Sequence, residues 1–149
     1  MTDLANNILA PIDSSKYMER NVNYACDLAK SMGAKLTLVH VVTLPSLVPR
    51  ELPSAEPISP VDAKPFEEAG SRVVEEARRI AKQRGVDAQT RVERTLGNPA
   101  QSIINVAEEG KFDLIIIGDR GHSLLRNQIV GSVCDITVRH APCPVLVVR

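Results

Sequence analysis

Tryptophan is absent, and only two tyrosines and two phenylalanines stand among 149 residues. Base-stacking platforms for single-stranded nucleic acid therefore have little to be built from. Charge of one sign is missing as well. Lys plus Arg and Asp plus Glu are 18 each, so no long-range field attracts a phosphate backbone, and no nucleic-acid partner is expected. The three cysteines, Cys26, Cys134 and Cys143, are odd in number and form no CxxC. That excludes a disulfide framework and a thiolate zinc site, and leaves three small apolar fillers in a reducing compartment.

Long hydrophobic runs are lacking too. Leu114–Ile117 and Val145–Val148 are far too short to span a bilayer, so no membrane insertion is expected. Met1 is followed by Thr2-Asp3-Leu4-Ala5, without a charged start or apolar h-region. A cytoplasmic protein is the expectation. The phosphate loop GxxxxGK[ST] is absent, and no GxGxxG follows the first strand. Nucleotide recognition through either device is excluded.

What is present is an ordered alternation. Ile8-Leu9-Ala10-Pro11-Ile12 reads as a short apolar strand ending at Asp13. Met18, Val22, Ala25, Ala29 and Met32 then recur at helical spacing up to Gly33. Lys35 to Val42 is a second strand, followed by Pro45, Pro49, Pro53, Pro57 and Pro60. That density of proline forbids helix and central strand, and predicts a loop at about 43–61. Phe66, Ala69, Val73, Ala77 and Ile80 mark a second helix stopping near Gly85, and Val86 to Arg94 a strand nearer a sheet edge. Asn98-Pro99 opens a third helix, with Ala100, Ile103, Ile104 and Ala107 as its buried stripe. Asp113 to Ile117 is an apolar strand closed by Gly118. Gly131-Ser132 opens a fourth helix with Val133, Ile136 and His140 on one side, and Pro144 to Val148 is the last strand.

The length suits one domain covering 1–149. The alternation predicts an α/β fold: a doubly wound, Rossmann-like parallel sheet of five strands with helices on both faces. Ligands of such sheets bind at the carboxyl ends of the strands where the strand order reverses. Orders 2-1-3-4-5 and 3-2-1-4-5 both satisfy the alternation. The second would bring Asp13 and Gly118 together, with Val41 beside them.

Gly118-Asp119-Arg120-Gly121, nine further residues, then Gly131-Ser132 is the most informative stretch. Glycines let backbone N–H groups approach phosphate oxygens, and a helix opening at Ser132 favours negative charge. Arg120 and Arg126 add positive charge to the loop. Taken singly, each glycine serves a turn; together their spacing points to an anion.

That spacing resembles the nucleotide-binding signature of the universal stress proteins, in the form G-2x-G-9x-G-S. The resemblance runs over essentially the whole chain. It includes Ile8 to Asp13, Leu38-Val39-His40-Val41, Gly97-Asn98-Pro99, and the ending Arg139-His140-Ala141-Pro142-Cys143-Pro144 to Val148. It implies strand order 3-2-1-4-5 and an ATP site, with ADP or AMP as alternatives and Mg2+ as companion. Pro11, Ile12 and Asp13 would meet the adenosine, Asp13 through the ribose, and the backbone of Val41 would read the adenine edge. Gly118 would lie by the ribose and Arg120 at the loop. Gly121, Gly131, Ser132 and Val133 would hold phosphates. Asp119 stands where many relatives carry Ser or Thr; it would repel a triphosphate, point to solvent, pair with Arg120, or help hold a metal.

The resemblance implies a regulatory switch in stress response rather than a fast enzyme, with no residue assigned to catalysis. Slow ATP hydrolysis and a nucleotide-free interaction module remain alternatives. His40 reads as strand packing and His122 as a solvated loop residue. The last strand is an edge in order 3-2-1-4-5, and an apolar edge calls for a partner. A homodimer through Pro144 to Val148 is expected, together with a further protein partner whose identity the sequence does not contain.

Overall fold

The computed structural model describes residues 5–44, 63–120 and 132–149, with the backbone alone described at Ser132. Five strands and four helices alternate: β1 (Asn7–Pro11), α1 (Met18–Met32), β2 (Lys35–Thr43), α2 (Lys64–Gln83), β3 (Gln89–Thr95), α3 (Pro99–Glu109), β4 (Leu114–Gly118), α4 (Ser132–His140) and β5 (Val145–Val148). The strands form one parallel sheet in the order β3-β2-β1-β4-β5. The order left open by periodicity is thereby decided, and the reversal falls between β1 and β4.

Alternation of side chains along each strand divides the core into two layers. Ile8, Ala10, Leu36, Leu38 and Ile116 face α1 and α2, where Val22, Ala25, Val74 and Ala77 meet them. Leu9, Val39, Ile115 and Ile117 face α3 and α4, against Ile103, Val106, Ala107 and Cys134. Both faces of the central strands are covered, which is why they read as unbroken apolar runs. Each buried Ile or Leu contributes about 1.5–3 kcal/mol over its exposed state.

Local chemistry sets the helix ends. Gly33 takes φ 62° after α1, and the Ala34 N–H returns to Ala29 O at 2.9 Å. A left-handed residue there favours glycine. Asn98 caps α3 by accepting from the Ala100 N–H at 2.9 Å, with Pro99 in the first turn. Ala100, Ile103, Ile104 and Ala107 are all buried, as their spacing predicts.

Three expectations need correction. The α2 stripe runs through Gly70, Val74, Ala77, Ile80 and Ala81, while Phe66 and Ala69 are exposed. Gly70 explains the rotation. A Cβ there would come 2.6 Å from Val42 Cγ2 and 3.1 Å from Val92 Cγ1, so the helix presses a bare backbone onto the sheet. In α4 the buried residues are Cys134 and Thr137, whereas His140 is exposed. Thr137 is buried because its hydroxyl donates to Val133 O at 2.7 Å, removing the cost of its polarity. β3 begins at Gln89 rather than Val86, because the Val86 N–H closes α2 on Ala81 O at 3.0 Å.

Of the proline-rich loop expected at about 43–61, Thr43 instead ends β2, and residues 45–61 lie outside the described residues. Among the described residues no helix is long and apolar enough to cross a membrane.

Candidate functional site

A cavity of about 440 Å3 opens at the carboxyl ends of β1, β2 and β4. Its volume lies within the range of small-molecule sites. The cavity sits at the reversal of strand order, above the paired strands β1 and β4. β2 and β3 extend the sheet on one side of β1, β4 and β5 on the other. Val39, Val41, Ile103 and Ile117 give the cavity apolar walls, and Asp13, Asn21, His40, Asp119 and Arg120 give it polar groups.

The floor is held by backbone bonds. The Ile12 N–H donates to Val39 O at 2.8 Å, extending the ladder one residue past β1. Ile12 O lies 2.9 Å from His40 Nδ1. A carbonyl cannot donate, so Nδ1 carries the hydrogen, and the ring clamps β1 to β2. Asp13 follows immediately. Its Oδ1 accepts from the Ser15 N–H at 3.0 Å, which fixes the carboxylate and leaves Oδ2 for a donor in the cavity.

Gly118 closes β4 beneath the first turn of α1. A Cβ at this position would collide with Asn21 Nδ2 and lie 3.0 Å from Asn21 Cγ. The missing side chain is what allows the Asn21 carboxamide into the cavity. Asp119 comes next, with its N–H on Val148 O at 2.9 Å and only 5% of its surface exposed. It does not point to solvent. Oδ1 is 3.8 Å from Arg20 Nη2 and Oδ2 is 3.9 Å from Arg120 Nε, both beyond hydrogen-bond range.

Asn21 Oδ1 and Asp119 Oδ1 are buried without a hydrogen-bond partner among the described residues. Buried acceptors left unpaired are costly, and both of these residues line the same cavity. Cations gather at the rim. Arg120 hydrogen-bonds Tyr17 and thereby lowers its hydroxyl pKa, while Lys16 and Arg20 stand 5.3 and 5.0 Å from the same ring. Cys134, in the first turn of α4, is a cavity wall and not a nucleophile. Burial, then the nearby Asp119 charge, pushes its thiol up to about 11.

The structure therefore brings together Pro11, Ile12, Asp13, Val41, Gly118, Arg120 and Val133, all of which line the cavity. Ser132 is the first residue of α4, next to Val133. Gly121 and Gly131, the remaining glycines of the motif, lie outside the described residues, as do Arg126 and His122. Asn21 was not foreseen, although its place four residues before Ala25, on the apolar face of α1, marks it as an unusual polar residue. Pro99 of the Gly97-Asn98-Pro99 element lines the cavity too, as do Thr43, Ile103 and Cys134, which neither periodicity nor motif marks as site residues.

The cavity also speaks to the expected metal. The carboxylate nearest the loop, Asp119, already faces two guanidiniums, so the described side chains do not fit a divalent ion there. No group of three or more His, Cys, Asp or Glu suited to a metal occurs among the described residues.

Comparison with known proteins is consistent along the whole chain. Residues 5–149 match the Universal stress protein family. Universal stress protein YxiE of Bacillus subtilis is 34% identical over 149 residues, covering 97% of this chain and 99% of that protein. A universal stress protein of Methanocaldococcus jannaschii is 31% identical over 147 residues, covering 99% of this chain and 84% of that one. Among solved structures, UspA of Lactobacillus plantarum superposes with a TM-score of 0.72 at 27% identity, covering 99% and 100% of the two chains. Three more distant neighbours carry ligands. One universal stress protein is in complex with cAMP (TM-score 0.71, 23% identity, covering 99% and 98%). One from Archaeoglobus fulgidus is in complex with dAMP (0.67, 21%, covering 98% and 99%). One family protein from Arabidopsis thaliana has AMP bound (0.66, 18%, covering 96% and 90%). With this sheet order, this cavity at its reversal and a family match from residue 5 to the last, the chain belongs to the universal stress protein family.

Proposed function

We propose that the chain binds an adenine nucleotide in the cavity between β1 and β4 and serves as a regulatory module rather than a fast enzyme. One observation carries this reading. Asp13, with one carboxylate oxygen held by the Ser15 N–H, shares an apolar-walled cavity with Gly118, whose missing side chain admits the Asn21 carboxamide. A flat base fits between Val39, Val41 and Ile117, and a ribose hydroxyl has its acceptor in Asp13. The cAMP, dAMP and AMP complexes of neighbouring proteins support the same ligand class.

ATP falls within this class through the loop glycines 121 and 131 and Ser132, which would cradle the distal phosphates with backbone N–H groups. Hydrolysis requires a positioned water and charge stabilisation. Asp13 is tied to Ser15, and Asp119 faces arginines, so both carboxylates are arranged to hold rather than to deprotonate.

The module works as a homodimer in this proposal. β5 is the sheet's edge, pairing with β4 on one side, and Val145, Leu146 and Val147 are only half-buried. A second copy related by a two-fold axis would cover both the apolar side chains and the free backbone groups.

Acid extraction of the purified protein, followed by ion exchange against nucleotide standards, tests the ligand. A near-stoichiometric adenine nucleotide is expected. A protein that releases none and also ignores added AMP, ADP and ATP would overturn the reading.

A further inference from the structure

We infer that Asp119 is a specificity-determining residue that makes this site favour adenine ligands with little charge at the phosphate end, adenosine monophosphates above ATP. The inference rests on the adenine-nucleotide reading above and names the ligand charge it selects.

Three observations place a fixed negative charge at the α4 end of the cavity. Asp119 directly follows Gly118 at the end of β4 and lines the cavity with Val133 and Cys134 of the first turn of α4. The N-terminus of a helix is the natural seat for an anion, and here the chain brings its own anion to that end of the cavity. The Asp119 side chain is only 7% exposed, so solvent screens it weakly. Its influence on the Cys134 thiol agrees with this placement.

The arginines offset this charge but leave its acceptor open. Arg20 and Arg120 approach to 3.8 and 3.9 Å without hydrogen-bonding it, and Asp119 Oδ1 has no donor among the described residues. Each guanidinium is also engaged at Tyr17, Arg20 over the ring and Arg120 at the hydroxyl. The carboxylate thus retains an open acceptor and holds two cations that a polyphosphate would otherwise recruit. An ionised triphosphate offers Asp119 only further acceptors. A ligand with a hydroxyl near Gly118 offers it a donor, and a single phosphate leaves most of the repulsion unfelt.

Calorimetric titration with adenosine, AMP, ADP and ATP in EDTA reads the selection. Wild type is expected to bind AMP more tightly than ADP, and ADP more tightly than ATP. Asp119→Asn keeps the shape and removes the charge, and should tighten ATP about tenfold relative to AMP while adenosine changes little. Equal shifts for all four ligands, or wild type preferring ATP in EDTA, would overturn the inference. So would an ATP preference that appears with Mg2+ and vanishes in Asp119→Asn, which would make Asp119 a cation anchor. If Asp119→Asn fails to fold, wild type alone decides: AMP must bind more tightly than ADP and ADP more tightly than ATP in EDTA, and equal or reversed affinities contradict the inference. Wild type binding none of the four ligands would instead defeat the underlying adenine-nucleotide reading.

Discussion

The carboxamide of Asn21 occupies the space that any side chain at Gly118 would need: a Cβ there would collide with Nδ2 and lie 3.2 Å from Oδ1. Gly118 is thus a glycine for close approach and not for backbone conformation, since it is not among the residues with positive φ. Helix α1 and strand β4 touch through this pair, at the edge of the cavity.

Gly118→Ala should therefore destabilise the fold by about 1–3 kcal/mol, the usual cost of overpacking. Asn21→Ala in the same chain should recover much of that loss, because the two residues share one space. Urea denaturation of the two single variants and the double variant measures the coupling. Additive losses would show that the positions do not compete.

Asn98→Ala removes the side-chain acceptor for the Ala100 N–H and should cost about 1 kcal/mol of stability. Pro99 and Ile103 of α3 line the cavity, so a frayed first turn should also weaken nucleotide binding modestly. Thermal unfolding with and without AMP separates the two effects. An unchanged melting temperature would contradict the capping role.

Burial pushes the Cys26 and Cys134 thiols up to about 11 from the ordinary 9.0. Their folded state holds the proton more tightly than the unfolded chain does. The stability this contributes is complete below about pH 9 and lost as pH rises toward about 11. Wild type should lose more stability over that interval than a Cys26→Ala, Cys134→Ala double variant. Parallel losses in urea midpoints would contradict the assignment.

Pro144 O accepts from the Ile115 N–H and Val148 O from the Asp119 N–H, so alternation turns the Val147 N–H toward the free edge of β5. Val147→Pro removes that donor while sparing the β4 ladder. Light scattering should give a two-chain mass for wild type and a one-chain mass for the variant. A monomeric wild type would contradict dimerisation through β5.

Much of this was legible in the sequence, and the exceptions have physical causes. The strands were readable because burial on both faces makes them unbroken apolar runs, as in Leu114–Ile117. The α3 cap was readable because Asn98-Pro99 encodes it locally. The α2 face was misplaced because Gly70, its closest point to the sheet, carries no hydrophobic signal. The α4 face was misplaced because Thr137 hides its hydroxyl in a backbone bond. At the site, the strand-end residues followed from the motif, whereas the burial of Asp119 and its approach to Arg20, 99 residues away in sequence, are tertiary facts. No local pattern records them.

The most direct test of the central claim is calorimetric titration of nucleotide-stripped protein with AMP, set against GMP. Saturable AMP binding at one site per chain, with GMP weaker by about tenfold or more, is the expected result. Folded protein that takes up neither nucleotide, or that binds both equally, would contradict an adenine site between β1 and β4.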